Sequence, residues 1–167
     1  MVEICLQAEG LPEKGSVFRR RAARGIVVKE GELLLIHTGA GDYKFPGGGV
    51  ESGETLEQAL AREMLEETGY PVLETGEILA LAHERRAGRT ADILEMDSYY
   101  FLCRLGQEQV PLHLDEYEEA EHFRPVWVSL EEALAANRAL LEGKSIPWLD
   151  REVRVMDALW EVDFSYF

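Results

Sequence analysis

Cysteine is scarce in this chain, with two residues in 167, and Cys5 and Cys103 form no CxxC pair. A disulfide-stapled secreted domain needs more cysteines, so the count favours a reduced, cytoplasmic protein. The first ten residues, MVEICLQAEG, lack the basic start and long apolar run of a signal peptide. No apolar run approaches the roughly 20 residues that a membrane-spanning helix requires. We therefore expect a cytoplasmic protein with no membrane partner.

Basic residues are also few, with 17 Lys and Arg against 32 Asp and Glu and a net charge of −15. General binding to a nucleic-acid backbone requires a surplus of Lys and Arg, so we expect no nucleic-acid partner. A small phosphorylated substrate stays compatible with this charge, because bound cations can reverse the local field.

Internal repeats, low-complexity tracts and linkers are absent from the sequence. A chain of 167 residues is long enough to bury one core of useful size. We therefore predict a single domain over residues 1–167.

Apolar periodicity and turn residues predict the order of secondary-structure elements. Strands are expected at residues 25–28, 32–38, 77–87, 95–105 and 124–130. Helices are expected at 55–68, from a capping box formed by Ser129 and Glu132 to Leu141, and at 149–160, where Leu149, Val153, Met156 and Trp160 share one apolar stripe. This order predicts an α/β sandwich with helices on both sides of a mixed central sheet.

The predicted helix at 55–68 has an unusual acidic face, and lysine is absent from the segment 45–70. On a helical wheel one side is apolar and faces the core: Leu56, Leu60, Ala61, Met64 and Leu65. Glu63, Glu66 and Glu67 fill the adjacent arc. Like charges three or four residues apart cost a helix roughly 0.2–0.5 kcal/mol per pair, and the negative helix end adds to the cost.

Two interpretations of this acidic face follow from the residues alone. It can be a solvated surface of an acidic protein, which is the usual meaning of a charge run. It can also be a cation site, because converging carboxylate oxygens are hard ligands that suit Mg²⁺ or Mn²⁺. The glycines at 47–49 favour the second interpretation, since they let the backbone approach a phosphate or a metal.

The segment 48–70 resembles the Nudix box of the Nudix hydrolases. All of its fixed positions match: Gly48, Glu54, Arg62, Glu63, Glu66, Glu67 and Gly69. Met64 fills the first apolar position, and Tyr70 fills the last one, which is usually aliphatic in the family. A looser resemblance extends from about residue 21 to residue 141.

The resemblance implies an α/β/α sandwich that cleaves a pyrophosphate bond in a nucleoside diphosphate linked to a group X. It implies that Mg²⁺ or Mn²⁺ binds to the carboxylates of Glu63, Glu66 and Glu67 and to the carbonyl of Gly48. Arg62 would orient the glutamates, with Glu54 as its salt-bridge partner. Glu63 is the first choice for the base that accepts a proton from water.

Further ligands are expected outside the box. Many family members place a base or ligand in a downstream loop, where this chain has Glu116, Glu118, Glu119 and Glu121; we favour Glu118 or Glu121. Phosphate contacts could come from Arg19, Arg20, Arg21, Arg24, Lys44, Arg85, Arg86 or Arg89. We expect packing roles, within the chain or at a homodimer interface, for Trp148, Trp160, Phe164, Tyr166 and Phe167.

Two subgroup markers of the family bear on the substrate. The family's ADP-ribose subgroup tends to carry a proline about sixteen residues after the box, and a dinucleoside polyphosphate subgroup carries a tyrosine near that spacing. Neither residue is present here, which leaves a nucleoside triphosphate, including a modified one, as the preferred substrate. Two alternatives stay open: a nucleotide-sensing binding module without turnover, and an acidic interaction protein that binds a basic partner.

Overall fold

The structure, a computed structural model, describes residues 1–143, 145–162 and 164. In chain order its strands are β1 (Val2–Gln7), β2 (Val17–Ile26), β3 (Val28–Lys29), β4 (Glu32–His37), β5 (Tyr43–Lys44), β6 (Gly47–Gly49), β7 (Val72–Ala87), β8 (Ile93–Leu105) and β9 (Arg124–Ser129). The helices are α1 (Leu56–Thr68), α2 (Glu116–Ala120), α3 (Leu130–Leu141) and α4 (Leu149–Leu159). None of the helices within the described ranges has the length and apolar character needed to cross a bilayer.

The strands form one sheet of five and one of four. The larger sheet has the order β1-β7-β8-β2-β6 and is mixed, because β1 runs parallel to β7 and β2 parallel to β8, while the other pairs are antiparallel. In the smaller sheet β4 pairs along its length with β9 and also with β3 and β5.

Helices cover both faces of the larger sheet. Alternate residues of a strand point to opposite faces, so neighbouring residues reach different helices. Ile26 and Tyr100 belong to a core cluster with Val153 and Met156 of α4, whereas Val27 and Phe101 belong to a cluster with α1. The predicted α/β sandwich with a mixed sheet is therefore confirmed.

Helix α1 has the ends that its sequence encodes. The Thr55 hydroxyl accepts a hydrogen bond from the Gln58 backbone N–H at 3.2 Å, and the Gln58 side chain accepts one from the Thr55 N–H at 2.9 Å. Gly69 ends the helix in the left-handed conformation, with φ 74°. These two caps fix where each glutamate of α1 falls around the helix.

Several sequence expectations are wrong in detail. Ala61 is exposed, and Ala59 packs in the core instead. The capping box at Ser129 is half formed: Ser129 accepts from the Glu132 N–H at 3.2 Å, but Ser129 is also the last residue of β9 and pairs there with Glu32.

The C-terminal aromatic residues behave differently from one another. Trp160 is 54% exposed because α4 ends at Leu159, one residue before it, so it does not continue the apolar stripe. Phe164 packs against the core cluster, as expected. Tyr166 and Phe167 lie outside the described residues.

Candidate functional site

Glu67 is the most buried of the acidic residues on α1, with 1% of its surface exposed. One of its carboxylate oxygens, Oε2, accepts a hydrogen bond from the backbone N–H of Gly47 at 2.7 Å. The other, Oε1, lies 3.4 Å from the Nζ of Lys44. A buried carboxylate needs such partners, because burial without them costs several kcal/mol. Glu67 is therefore fixed in position by the glycine turn that precedes α1.

Lys44 is also buried, with 8% of its surface exposed. Its ammonium lies 4.0 Å from the centre of the Phe123 ring and 5.6 Å from that of Trp148. The Trp148 indole N–H donates to the carboxylate of Asp42 at 2.7 Å. Trp148 thus packs as expected, and it also lines the cleft described below.

Gly48 lies directly against the carboxylate of Glu63. A Cβ atom placed on Gly48 would be 2.6 Å from Oε1 of Glu63, so any other residue there would push that side chain away. Burial raises the pKa of Glu63, while its hydrogen bond from Arg62 acts in the opposite direction. The glycine at position 48 is therefore a requirement of the Glu63 conformation.

Arg62 links three carboxylates with one guanidinium group. Its Nε and Nη2 donate to the two oxygens of Glu54 at 2.8 and 2.9 Å, which is a bidentate pair. Its Nη1 donates to Glu63 at 2.8 Å and to Glu66 at 3.3 Å. The hydrogen bonds that Glu54 accepts, first from Arg62 and then from the Glu51 N–H, lower its pKa to about 2. Arg62 therefore contacts Glu54, Glu63 and Glu66 at the same time.

Glu118 reaches the same place from a different part of the chain. The segment around it was expected to be a loop, but the structure forms the short helix α2, capped by Asp115 through a complete capping box with Glu118. Single carboxylate oxygens of Glu63, Glu67 and Glu118 lie within 4.8 Å of one another. We call these three residues the glutamate cluster.

The environment of Glu118 differs from that of an ordinary surface carboxylate. Burial is the largest effect and raises the pKa of Glu118 to about 7. The hydrogen bond from the Asp115 N–H acts in the opposite direction, and the nearby charge of Glu67 raises the pKa further. The sequence favoured Glu118 or Glu121 over the other two downstream glutamates but did not choose between them. The Asp115-x-x-Glu118 capping spacing is the one sequence signal that could have placed it on a helix.

Glu66 lies at the edge of this arrangement. Its side chain is 39% exposed and contacts Arg62, and it is outside the glutamate cluster. Its backbone carbonyl accepts a hydrogen bond from the His113 N–H at 3.0 Å, and the Gly69 carbonyl accepts one from Val110 at 2.8 Å. The segment 106–113 is thereby bound to the end of α1, and it carries α2 and Glu118 to the cluster.

The glutamate cluster lies in a cleft of about 590 Å³ between α1, β6, α2, the middle of β2, the end of β7 and the start of β8. Acidic and basic side chains line it in equal number: Glu51, Glu63, Glu66, Glu67, Asp115 and Glu118 against Arg20, Arg24, Lys44, Arg62, Arg86 and Arg151. The cleft thus has six of the chain's 17 basic residues but only six of its 32 acidic ones. It is far richer in positive charge than the rest of the molecule, which favours an anionic ligand.

The structure separates the candidate phosphate-binding residues into two groups. Arg20, Arg24, Lys44 and Arg86 line the cleft, whereas Arg19, Arg21, Arg85 and Arg89 do not. Arg19 and Arg85 instead pair with Glu95, at 2.9 and 3.3 Å. Among the downstream acidic residues, Glu118 lines the cleft and Glu116, Glu119 and Glu121 do not.

A larger cavity of about 870 Å³ lies elsewhere, beside Tyr70, Cys103 and Trp127. None of the glutamate cluster lines it, and burial raises the pKa of the Cys103 thiol to about 12, so this thiol is not activated as a nucleophile. The smaller cleft is therefore the candidate active site.

The donor set of the glutamate cluster fits a hard divalent cation. All of its side-chain donors are carboxylate oxygens, which Mg²⁺ and Mn²⁺ prefer to nitrogen or sulfur. Glu63 and Glu67 are one helical turn apart, so the helix holds both on one face without further adjustment.

Comparison with known protein sequences gives consistent matches. The NUDIX domain profile matches residues 19–149. The CTP pyrophosphohydrolase of Escherichia coli (strain K12) is 32% identical over 114 residues, which are 65% of this chain and 75% of that protein. Nudix hydrolase 4 of Arabidopsis thaliana is 29% identical over 117 residues, or 70% of this chain. The ADP-ribose pyrophosphatase of Methanocaldococcus jannaschii is 46% identical over 52 residues, or 29% of this chain. The chain spans 52% of the plant protein and 31% of the archaeal one.

Solved structures agree on the fold. The NUDIX hydrolase from Nitrosomonas europaea superposes with a TM-score of 0.60 at 20% identity, covering 84% of this chain and 90% of that one. The MutT NUDIX hydrolase from Burkholderia pseudomallei gives a TM-score of 0.55 at 23% identity, covering 68% and 85%. The sandwich is therefore of the type that the box implied.

Proposed function

Because the chain belongs to the Nudix family, we propose that it hydrolyses a pyrophosphate bond in a nucleoside diphosphate derivative, with Mg²⁺ or Mn²⁺ as cofactor. The observation that carries this proposal is the convergence of Glu63, Glu67 and Glu118 within 4.8 Å at the wall of a cleft rich in arginine. A merely solvated acidic face would not bury Glu67 to 1% exposure beside an aligned backbone N–H group.

The cofactor would be held by Glu63 and Glu67, with Glu66 and the Gly48 carbonyl beside them and Glu118 as an additional ligand. When bound, the metal supplies charge neutralisation of the diphosphate and a lower pKa of the attacking water. The water oxygen forms a bond to one phosphorus, the bridging oxygen leaves with the other, and a carboxylate accepts the proton of the water.

Glu63 is our first choice for this base. Its carboxylate lies against Gly48 at the wall of the cleft. Its raised pKa makes it a better proton acceptor than an ordinary glutamate. Arg62 would keep Glu63 oriented during the reaction, because Glu54 holds the guanidinium on its other edge. Glu118, whose pKa is about 7, is the second candidate for the base.

The preferred substrate is a nucleoside triphosphate. A CTP pyrophosphohydrolase and an ADP-ribose pyrophosphatase are both among the relatives, so the relatives' names support the bond type rather than one nucleotide. A binding module that senses nucleotides without turnover would be expected to have lost metal-binding glutamates, and this chain retains all of them.

We extend the proposal to one domain over residues 1–167. Strand β1 lies before the matched range 19–149 and pairs along its length with β7. Helix α4 begins where that range ends and packs into the larger core cluster.

The test is hydrolysis of nucleoside triphosphates, dinucleoside polyphosphates and nucleotide sugars with Mg²⁺ or Mn²⁺, comparing wild type with Glu67→Gln. Glutamine keeps an acceptor for the Gly47 N–H but removes the charge. The matched control is Glu57→Gln, an exposed change on the same helix. We expect Glu67→Gln to lose at least about 100-fold in kcat/KM on one compound class. Equal rates for Glu67→Gln and wild type on all compounds would refute the assignment.

A further inference from the structure

Three basic residues of the cleft have weaker carboxylate pairing than the others: Arg20, Arg24 and Arg86. Lys44 pairs with Glu67, and Arg62 pairs with three glutamates. By contrast, no carboxylate among the described residues lies within 4.0 Å of the charged nitrogens of Arg20 or Arg24. Arg86 has one distant contact, 3.8 Å from Glu84. We call Arg20, Arg24 and Arg86 the arginine wall.

Arg24 shows the imbalance most clearly. Its surface is only 7% exposed, and its Nη1 donates to the carbonyls of Gly47 at 3.1 Å and Phe45 at 3.5 Å. Its Nε–H has no hydrogen-bond partner. A guanidinium this deeply buried, with neutral acceptors alone, carries an uncompensated desolvation cost.

Arg86 repeats the pattern on a different strand. Its Nε is buried without a hydrogen-bond partner. Its Nε is 3.8 Å from Oε1 of Glu84, beyond hydrogen-bond distance, and the other oxygen of Glu84 accepts from Arg151 at 2.5 Å. Glu84 is therefore shared between two arginines and compensates Arg86 only in part. The cleft thus contains two orphaned guanidinium N–H groups.

The strand register places the arginine wall on one face of the larger sheet. Arg20 and Arg24 are four residues apart on β2, and Arg24 pairs with Tyr100 of β8. Arg86 of β7 pairs with Leu94, six residues before Tyr100 on β8. Even-numbered offsets point to the same side of a sheet, so all three arginines share the face on which Tyr100 packs. All three also line the cleft that contains the glutamate cluster.

We propose that the arginine wall binds a phosphoryl group of the substrate beyond the diphosphate held at the glutamate cluster. This inference rests on the proposed function and narrows it. The substrate then carries at least three phosphoryl groups, as a nucleoside triphosphate does. A nucleoside diphosphate linked to an uncharged group would leave the wall without an anion. Guanidinium forks match phosphate oxygens in shape as well as in charge.

Binding of inorganic tripolyphosphate in EDTA tests the wall without a metal ion and without turnover. Isothermal titration calorimetry would compare wild type, Arg24→Met, Arg86→Met and the control Arg19→Met, an exposed arginine of the same strand. We expect both wall variants to bind about tenfold or more weakly, and the control to stay within about twofold of wild type. Arg86→Met is decisive if Arg24→Met disturbs the Gly47 turn, because Arg86 does not contact that turn.

Turnover provides the second measurement. With Mg²⁺, Arg86→Met should raise KM for a nucleoside triphosphate about tenfold with a smaller change in kcat, and should raise KM for a nucleotide sugar several-fold less. Wild type that fails to bind tripolyphosphate, or wall variants that bind it like Arg19→Met, would overturn the inference. Absence of any pyrophosphate hydrolysis would count against the proposed function instead, because the titration in EDTA does not depend on it.

Discussion

Arg24 and Glu67 hold opposite sides of the same residue, Gly47. Glu67 accepts from the Gly47 N–H at 2.7 Å, and Arg24 donates to the Gly47 carbonyl at 3.1 Å. A shift of the glycine turn would therefore move a residue of the glutamate cluster and a residue of the arginine wall together. Gly47 therefore connects the glutamate cluster to the arginine wall through its two backbone hydrogen bonds.

Gly47→Ala should destabilise the fold by at least about 2 kcal/mol, because position 47 combines a φ of 127° with a lack of space. A Cβ there would lie 2.2 Å from the Ala23 carbonyl oxygen. Urea unfolding measures the effect. Gly31→Ala is the control for backbone strain alone, since its φ is 83° and no atom lies within 4 Å of its Cβ position. It should cost about 1 kcal/mol. Equal losses of unfolding free energy in Gly47→Ala and Gly31→Ala would show that the backbone moves away from the new methyl group without a measurable cost.

Gly48→Ala should weaken Mn²⁺ binding and reduce activity by roughly 10- to 100-fold, because the methyl group displaces the Glu63 carboxylate by about an ångström. Electron paramagnetic resonance of Mn²⁺ gives the affinity, and hydrolysis gives the rate. Gly143→Ala, which adds a methyl group in open space, serves as the control. Unchanged Mn²⁺ affinity in Gly48→Ala would show that Glu63 is not a ligand.

Glu118 should make the protein less stable at pH 8.5 than at pH 5 in EDTA. Its pKa rises from 4.5 to about 7 on folding, so its stabilising contribution is complete below pH 4.5 and is lost as the pH rises through 7. Glu118→Gln removes this loss, and its melting temperature should exceed that of wild type by roughly 1–3 °C at pH 8.5. The difference should shrink at pH 5. Glu119→Gln, an exposed change on the same short helix, retains Glu118, so its melting temperature should follow that of wild type at both pH values.

Local sequence determined the parts of the site that lie on α1. The capping residues Thr55 and Gly69 and the spacing of the glutamates are all within one helix, where a fixed 100° rotation converts position into direction. Glu118 could not be assigned in this way. It meets Glu63 only because backbone hydrogen bonds attach the segment 106–113 to the end of α1, and such long-range contacts leave no periodic signal.

The arginines illustrate a second limit of sequence reasoning. The run FRRRAAR lacks the apolar alternation of a half-buried strand, so the pattern predicts a strand that begins at residue 25 and misses residues 17–24 of β2. Strand β1 was missed for a similar reason, because most of Val2–Gln7 is exposed. Which arginines of β2 line the cleft depends on which face each residue of the strand points to, and this is set by the pairing of β2 with β8 and β6.

Arg151→Met should destabilise the protein by about 3–5 kcal/mol, because it leaves two buried carboxylates without their cation. Arg151 is 2% exposed and donates to Glu84 at 2.5 Å and to Glu152 at 2.8 Å. Arg138→Met breaks an exposed pair with Asp157 and should cost no more than about 1 kcal/mol. Thermal unfolding compares the two. Similar losses would mean that Glu84 and Glu152 become protonated at little cost.

The attachment of the segment 106–113 to α1 has a consequence for engineering. Val110 and His113 make their contacts through backbone N–H groups, which every amino acid except proline provides. Replacing either side chain by any residue except proline should therefore leave this attachment intact, whereas inserting or deleting a residue between His113 and Glu118 would carry the carboxylate out of reach. Chimaeras that graft this stretch from other proteins should preserve its length before its composition.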